Sequence, residues 1–585
     1  MSPKSWRLKR PAERQSGVNT VKSGVRGMQQ DSGENARVVR AVGQIGGLTL
    51  LSRIAGLGRD MVISYVFGAG LAADAFFMAF RIPNLLRRLV GEGATDAAFV
   101  PVLTRYLTRR SRATSRMIRA FFGTGLGLLL VLTGLGICFA DPITRLFAPG
   151  FTSDKLLLTI DLTRVMFVYL FCVGAAALAM GVLHALRHFT APAFAPVLFN
   201  AAVIVSVFGL SAQVAEPVMS LAYGVVLGGV CQLLWQLPAL VRHGVSLRLN
   251  WQPRHPALRR MGLLLLPLVF GTGIFQLNQI ISTLLASLLA DGSVACLWYA
   301  GRLFEFPVGI FVVALSTAVL PSLATYARQK DWGGMQDSLG FALRLVNVVT
   351  LPAAVGLAVL ATPITTVLFF RGAFSAQDVV LTATVLQALA LGLWAVAATR
   401  QVTACLYALG DTRTPVWGGV VALMTKIGAS LVLMGHISLP GETNWLAQGV
   451  AAVSGMVSMQ NWGVVGLAAA TSLASMANLV FQAVRLSRRF SAFPWQQWAA
   501  SLLWSGLASV GMLVVLWWFV GQVDWLAPDG SRLSRLGSLG GAVLIGGCSF
   551  VVLVWPGGKD ELRALLGILP HRLLGLLPQF LQPRQ

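Results

Sequence analysis

The chain has 585 residues, of which 56% are hydrophobic and 12% are charged, and its formal net charge is +24. Soluble domains carry about 25% charged residues, so this composition excludes an ordinary soluble protein and predicts a polytopic membrane protein. The basic residues lie between apolar runs, which indicates membrane orientation and contact with anionic lipids, and no nucleic acid partner.

The chain begins with a hydrophilic, basic stretch, 1–40, which has no apolar signal-peptide core, and we expect a disordered cytoplasmic arm. Fourteen apolar stretches follow, each long enough for the roughly 20 residues that a spanning helix needs. The tail, 557–585, is short and amphipathic, which favours the membrane interface. The predicted spans are 42–66, 71–103, 120–140, 158–183, 192–212, 217–240, 260–289, 294–325, 340–368, 379–408, 416–436, 458–484, 497–520 and 536–556.

Basic residues are distributed very unevenly over the two sides of these spans. With the N-terminus inside, the cytoplasmic segments hold 31 Lys and Arg residues and the opposite loops hold five. This imbalance predicts that both termini are cytoplasmic. The five residues of the opposite loops are Arg145, Lys155, Arg371, Arg532 and Arg535.

Two motifs recur at nearly one offset along the chain. The sequence LHALRHFTAP at 183–192 matches LYALGDTRTP at 406–415, and Ala79-Phe-Arg81 matches Ala300-Gly-Arg302. Repeats with an even number of helices share one orientation in the membrane. The repeat therefore predicts two pseudo-symmetric six-helix lobes with a cavity between them and two extra helices. These are the N-lobe, 41–243, the C-lobe, 244–490, and the extra pair, 491–556.

The second predicted span, 71–103, is too long for a single straight crossing. Thirty-three helical residues would extend about 50 Å, whereas the hydrocarbon layer is about 30 Å thick. Interrupted helices are a usual feature of transporter binding sites. The candidate positions for a kink or break are Pro83, Gly91, Gly93 and Pro101.

Charged residues concentrate in the first two predicted helices, and the eighth helix carries two more. A charged side chain near the bilayer centre costs about 2.5–3.5 kcal/mol, so these residues are expected to face each other, water or an anion. Arg53 and Asp60 share one face of the first helix, because they are spaced i, i+7. The second helix repeats this spacing with Asp74, Arg81 and Arg88. The eighth helix has an i, i+3 pair, Arg302 and Glu305.

Two interpretations of these charges remain open. They are structural ion pairs, such as Arg53 with Asp60 and Asp74 with Arg81, or they bind an anionic substrate. Arg87, Arg88 and Glu92 have the further alternative of extending to the membrane interface. Arginine outnumbers lysine inside the apolar helices, with Lys426 as the exception. Because the guanidinium fork binds phosphate bidentately, we favour a phosphate-bearing substrate. The six cysteines lie singly and the histidines lack metal-binding spacing, so no metal or cofactor is predicted.

Several motifs resemble the MurJ (MviN) family of lipid II flippases, in the multidrug/oligosaccharidyl-lipid/polysaccharide exporter superfamily. The resemblance extends from about residue 42 to 490, and more weakly through the last two predicted helices. The matching motifs are Ser52-Arg53 with Gly56-x-x-Arg59-Asp60, Phe67-Gly-Ala-Gly70, Asp74-Ala-Phe-Phe77, Pro83-Asn-Leu-Leu-Arg-Arg88, Glu92-Gly, Ala191-Pro-Ala-Phe-Ala-Pro196, Arg302-Leu-Phe-Glu-Phe-Pro307 and Thr412-Arg-Thr-Pro415.

The resemblance implies fourteen helices in two lobes that alternate access, and a groove for a polyprenyl tail at the last two helices. It also implies transfer of the undecaprenyl-diphosphate-linked peptidoglycan precursor, lipid II, from the cytoplasmic to the periplasmic leaflet of the bacterial inner membrane. Cell-wall synthesis machinery is a possible partner. The implied substrate-binding residues are Arg53, Arg59, Arg87 and Arg302, with supporting or gating roles for Asp60, Asp74, Asn84, Arg88, Glu92 and Glu305.

The chain departs from the family pattern at Gly301, where some relatives have an acidic residue, in a longer N-terminal arm and in an enlarged loop at 437–457. The alternatives are a flippase for another polyprenyl-linked glycan, a drug exporter, a polyprenyl-phosphate glycosyltransferase, and a non-transporting cell-wall scaffold. A drug exporter favours an acidic, aromatic cavity, and a glycosyltransferase needs acidic metal-binding motifs. The arginines and the short, basic loops favour a transporter that is not an enzyme.

Overall fold

The computed structural model of the chain describes residues 46–91, 94–107, 112–246, 248–437, 445–458, 460–490, 495–527 and 531–566. Within these ranges the secondary structure is helical, without strands, which confirms the all-α prediction. The predicted arm at 1–40, residue Glu92 and most of the predicted interfacial tail lie outside the described residues.

The chain folds into twenty α-helices within the described ranges. They are α1 (46–67), α2 (Leu71–Gly91), α3 (Ala94–Leu107), α4 (Arg112–Cys138), α5 (Ala140–Phe147), α6 (Ser153–Ala185), α7 (Thr190–Leu210), α8 (Met219–Arg242), α9 (Pro256–Ser287), α10 (Ser293–Pro307), α11 (Val313–Gln329), α12 (Trp332–Val359), α13 (Ala361–Phe369), α14 (Ala376–Ala390), α15 (Leu393–Ala408), α16 (Arg413–Leu433), α17 (Trp445–Val457), α18 (Gly463–Ser487), α19 (Trp495–Gly521) and α20 (Arg532–Leu566).

Ten helical segments of the described chain are long and apolar enough to cross a membrane, with α14 and α15 counted as one. The four remaining predicted spans are also helical, in α1, in α2 with α3, in α9, and in α10 with α11. They are the first two predicted helices of each lobe, and they carry most of the polar residues singled out above. The count of fourteen spans therefore stays a prediction.

The long second span behaves differently from the expectation at its prolines. Pro83 lies inside α2, which is continuous to Gly91, and Pro101 lies inside α3. Proline removes a single backbone donor, which a helix surrounded by other helices tolerates. In the eighth predicted span the α-helical hydrogen-bond pattern is interrupted between α10 and α11, where residues Val308–Val312 form a π-helical turn. Such turns are frequent at functional sites.

The two turns of the predicted repeat have the same backbone geometry. At the end of α6, the N–H of His188 donates to Leu183 O at 2.8 Å, and at the end of α15 the N–H of Asp411 donates to Leu406 O at 2.9 Å. The left-handed residues of these turns are Arg187, with φ of 59°, and Gly410, with φ of 74°. Glycine adopts this conformation without strain, which accounts for its presence in the second turn.

One region of contact between the lobes comprises the α1–α2 turn, the start of α10 and the loop 370–374, and we call it the closed end. Ala373 N donates to Tyr65 O at 2.9 Å, and Tyr299 Oη donates to Gly68 O at 3.0 Å. Gly292 has a φ of 88°, and a Cβ at this position would lie 2.4 Å from Ala69 O. The approach of the two backbones therefore requires glycine there.

The extra helices α19 and α20 pack against each other and against α12. Arg344 on α12 donates to Glu561 on α20 at 2.8 Å and to Gln497 on α19 at 3.1 Å. One arginine therefore ties both extra helices to the C-lobe.

Candidate functional site

A buried carboxylate lies at the centre of the charged residues on α1. Asp60 Oδ1 accepts hydrogen bonds from Arg59 Nη2 at 2.7 Å and Nε at 3.0 Å, and Asp60 Oδ2 accepts from Arg302 Nε at 2.9 Å. Arg59 and Asp60 are both buried, and Arg302 reaches them from α10. One carboxylate thus joins an N-lobe arginine to a C-lobe arginine. We call Arg53, Arg59, Asp60, Arg302 and Glu305 the central cluster.

Small residues make room for Arg302 beside α1. A Cβ at Gly56 would lie 3.2 Å from Arg302 Nη2 and 3.7 Å from Asn200 Nδ2. Asn200 Nδ2 donates to Pro196 O, one turn earlier on α7, at 2.9 Å. Arg302 is 35% exposed, and its contact with the 53% exposed Glu305 is longer, at 3.4 Å. Arg302 is therefore fixed by Asp60 while part of its guanidinium stays accessible.

Arg53 packs over the π-helical turn of the C-lobe. A Cβ at Gly309 would lie 2.0 Å from Arg53 Nη1, so the guanidinium rests directly on the glycine. Arg53 is exposed, and the structure places no carboxylate of the described residues within ion-pair distance of it. The open alternative that Arg53 pairs with Asp60 is wrong in this conformation, since Asp60 contacts Arg59 and Arg302.

The residues predicted at the other end of α2 are only partly described. Arg87 Nε donates to the buried Asn84 Oδ1 at 2.9 Å, one helical turn away. Arg88 lies on α2, but its side chain is outside the described part of the structure, as is Glu92. The binding and supporting roles of all these residues stay predictions.

Asp74 lies in a second cluster, at the closed end. Lys155 Nζ donates to Asp74 Oδ2 at 2.7 Å and also to Asp291 Oδ1 at 2.7 Å. Gly292 N and Ala295 N, at the start of α10, donate to Asp74 at 2.8 and 2.7 Å. The N-lobe carboxylate therefore accepts from the N-terminus of a C-lobe helix, where the dipole favours a negative charge. We call Asp74, Lys155 and Asp291 the closed-end cluster.

The sequence did not single out Lys155 or Asp291 as functional. The alternative pairing of Asp74 with Arg81 is wrong, because Lys155 on α6 takes that place and Arg81 lies 3.5 Å from Gln279 Oε1 and over the Trp298 ring. The available signal was the position of Lys155 itself. Lys155 is one of only five basic residues in the segments predicted to lie opposite to the cytoplasm.

Lys426 is also buried, between α16 and α9. Its Nζ donates to Asn278 Oδ1 at 2.6 Å, to Asn278 O at 3.1 Å and to Ser282 Oγ. All three acceptors are neutral oxygens, so the ammonium is solvated by the protein and belongs to the C-lobe interior.

An apolar cavity of about 320 Å³ opens between α12, α15, α18 and the start of α19. Trp394, Trp498, Leu343 and Met476 are among its lining residues. The cavity involves one of the two helices for which the resemblance implies a lipid-tail groove. Its apolar lining suits a hydrocarbon chain and offers no chemistry of its own.

The central cluster has three arginines for two carboxylates, and one carboxylate is exposed. It can therefore hold an anion against Arg53 and Arg302 while Asp60 keeps the buried Arg59 paired. No group of three or more His, Cys, Asp or Glu residues with metal-binding geometry occurs in the described part of the chain.

Comparisons with known proteins give a consistent family. The family model described as "Lipid II flippase MurJ" matches residues 63–527. The chain is 35% identical over 416 residues to "Probable lipid II flippase MurJ" of Vibrio cholerae serotype O1, covering 69% of this chain and 79% of that protein. It is 32% identical over 524 residues to "Lipid II flippase MurJ" of Burkholderia cenocepacia, covering 88% and 96%.

Solved structures show the same fold. The structure "Lipid II flippase MurJ, inward closed conformation" matches with a TM-score of 0.70 at 23% identity and covers 89% of this chain and 99% of that one. An inward-facing multidrug resistance MATE family transporter of the MOP superfamily matches with a TM-score of 0.61 at 15% identity, covering 75% and 96%. At these identities the likeness concerns the fold alone.

Proposed function

Because the chain belongs to the MurJ family of lipid II flippases, we propose that it moves lipid II from the cytoplasmic to the periplasmic leaflet of the bacterial inner membrane. The observation that supports this function best is the shared Asp60, which joins Arg59 of the N-lobe to Arg302 of the C-lobe. A diphosphate that reaches these arginines would contact both moving parts of the protein at once.

The diphosphate binds to the accessible side of the central cluster, at Arg53 and Arg302, with Arg59 behind them. Arginine forms bidentate bonds with phosphate oxygens, and these bonds strengthen when water is excluded. Asp60 keeps Arg59 and Arg302 in position before the substrate arrives, so the site needs little reorganisation. Arg87, oriented by Asn84 at 2.9 Å, lines the cytoplasmic opening.

The closed-end cluster acts as a latch between the lobes. Four hydrogen bonds connect Asp74 and Lys155 of the N-lobe to Asp291, Gly292 and Ala295 of the C-lobe or to each other. Separating the lobes at this end breaks the interlobe bonds together, so the transition has two discrete states. Rocking of one lobe on the other then alternates access.

We further propose that the closed end is periplasmic and that both termini are cytoplasmic, as the distribution of basic residues predicts. The membrane potential, negative inside, would then assist outward movement of the anionic headgroup by about 2.3 kcal/mol per charge per 100 mV. Anionic lipids and the cell-wall synthesis machinery are the partners we expect. This assignment is to a transporter, and the family favours lipid II over another polyprenyl-linked glycan as cargo and over a scaffold role.

The test is complementation of a strain depleted of its own lipid II flippase, combined with measurement of lipid II in each leaflet. We expect rescue by the wild-type chain and loss of rescue by Arg53→Ala, Arg59→Ala and Arg302→Ala at normal membrane levels. Arg164→Ala is the matched control, since Arg164 is a helical arginine of the N-lobe with a local, exposed partner in Asp161. Properly inserted wild-type protein that leaves lipid II in the inner leaflet would refute the function.

A further inference from the structure

Three arginines come together beside the closed end. Arg371 follows α13 in the loop that closes the lobes, and Arg532 and Arg535 occupy the first turn of α20. Arg535 Cζ lies 5.7 Å from the centroid of the Phe370 ring, which brings α20 against this loop. Burial and the positive charge of Arg532 lower the pKa of Arg371. The guanidinium groups of Arg371 and Arg532 are therefore close enough to repel each other, and Arg535 lies against the same loop through Phe370.

Among the residues that the structure describes, these arginines have no carboxylate partner, unlike the other basic residues predicted for this side. Arg145 pairs with Asp141 at 3.0 Å, and Lys155 pairs with two aspartates. Within the part of the chain that the structure describes, neither Arg371, Arg532 nor Arg535 forms an ion pair. Three of the five basic residues predicted for this side thus lie together without a carboxylate partner among the described residues.

The hydrogen bonds of these three arginines leave some of their N–H donors without an acceptor among the described residues. Arg371 Nη2 donates to Val367 O at 2.8 Å, and Arg535 Nη2 donates to Ala527 O. Arg535 Nε is buried and has no hydrogen-bond partner among the described residues. Carbonyl oxygens orient these guanidinium groups, but they supply no charge to balance them.

The start of α20 adds to the positive field. The first turn contains no acidic residue, although the helix dipole favours negative charge there. Two arginines in this turn are electrostatically unfavourable unless an anion is bound. A phosphate group satisfies both the dipole and the guanidinium forks.

We propose that Arg371, Arg532 and Arg535 form a binding site for a phosphate-bearing lipid headgroup at the closed end. The headgroup belongs either to an anionic phospholipid of that leaflet or to the diphosphate lipid that has crossed the membrane. The loop of Arg371 also carries the bond from Ala373 N to Tyr65 O, so an occupied site stabilises the closed end. The phospholipid source does not depend on the proposed function.

The experiment measures lipid binding to the purified full-length protein in detergent by native mass spectrometry. The probes are dioleoylphosphatidylglycerol, dioleoylphosphatidylcholine with the same chains, and undecaprenyl diphosphate. The variants are the triple substitutions R371Q/R532Q/R535Q and R371K/R532K/R535K. R145Q is the matched control, because Arg145 has a carboxylate partner. Thermal unfolding checks that each variant is folded.

We expect wild-type protein and R145Q to bind the glycerol lipid more tightly than the choline lipid. The glutamine variant should lose on the order of 100-fold in affinity for an anionic probe, because three positive charges beside the headgroup are removed. The lysine variant should retain most of the binding. Loss for phosphatidylglycerol identifies a resident phospholipid, and loss of one bound undecaprenyl diphosphate identifies the transported lipid. No headgroup preference in wild type, or equal binding by the folded glutamine variant, overturns the proposal.

Discussion

Two buried carboxylates, Asp60 and Asp74, each join the N-lobe to the C-lobe, but their surroundings differ in charge. In the central cluster three arginines face two carboxylates, and Arg53 and Arg302 stay accessible. In the closed-end cluster one lysine faces two aspartates, and Asp74 accepts three hydrogen bonds that leave little capacity for another partner. An excess of positive charge suits an anion, whereas a saturated carboxylate suits a latch. The same pairing of acid and base is therefore suited to two different roles, which the following predictions test.

The largest effect should follow from Asp60→Asn. This change leaves Arg59 buried without its counter-charge, and breaking a buried ion pair costs about 3–5 kcal/mol. We expect a large drop in thermal stability and complete loss of transport. Glu305→Gln is the control, because that pair is exposed and 3.4 Å long. Equal effects of the two changes would mean that Asp60 does not organise the cluster.

The next effect concerns the latch. Lys155→Met removes the ammonium but keeps much of its volume, so Asp74 retains its backbone donors and loses its counter-charge. We expect opening of the closed end to become more than 10-fold more frequent, corresponding to more than about 1.4 kcal/mol. Spin-label distances between the lobes measure this shift. Arg145→Met, at the exposed Asp141 pair, should change nothing. An unchanged distance distribution for Lys155→Met would remove the latch from the mechanism.

A smaller effect at the same end tests backbone contact instead of charge. Gly292→Ala places a Cβ 2.4 Å from Ala69 O in a residue with φ of 88°, which we expect to cost about 1–2 kcal/mol. Gly301→Ala is the matched control on α10, since nothing lies within 4 Å of its Cβ. Thermal unfolding should separate the two variants clearly. A Gly292 variant as stable as the Gly301 variant would show that the lobes approach less closely there.

Much of the architecture follows from composition and periodicity, whereas the pairing within the clusters does not. Apolar length predicts a bundle of helices, and the spacing of Asp60 predicts its helix face. Which arginine contacts Asp60 depends on how α10 packs on α1, where Gly56 leaves room for Arg302 and Gly309 leaves room for Arg53. Lys155 contacts Asp74 from 81 residues away. Such a pair depends on tertiary packing, which residue types along the chain do not encode locally.

Gly56→Ala tests how firmly Arg302 is positioned in the central cluster, and we expect a modest effect. Its Cβ would lie 3.2 Å from Arg302 Nη2, so the guanidinium must shift by a few tenths of an ångström relative to Asp60. We expect a several-fold loss of transport with little loss of stability, because alanine favours the helix by about 1 kcal/mol over glycine. Gly58→Ala, whose Cβ meets nothing within 4 Å, is the control. Equal transport by both variants would argue against a fixed Arg302.

We expect the smallest effect on stability from an ion pair that lies outside both clusters. This pair serves as the reference against which the two clusters are compared. Asp411 accepts from Arg489 Nη2 at 2.6 Å, and Arg489 is 48% exposed. Burial alone would raise the pKa of Asp411, but hydrogen bonds from Thr414 and the charge of Arg489 outweigh it, and the pKa lies below its usual value.

A lowered folded-state pKa means that ionised Asp411 stabilises the fold above its unfolded pKa, about 3.9, and that this contribution disappears as the pH falls through the folded value. Asp411→Asn should therefore cost less than about 1 kcal/mol at pH 7, and the difference from wild type should narrow below pH 4. Thermal unfolding measured at about pH 7, 4 and 3, a range that spans the unfolded pKa, follows this change. A deficit that stays constant with pH would assign the effect to the hydrogen bonds of Asp411 rather than to its charge, and the comparison of charged clusters would then need a different baseline.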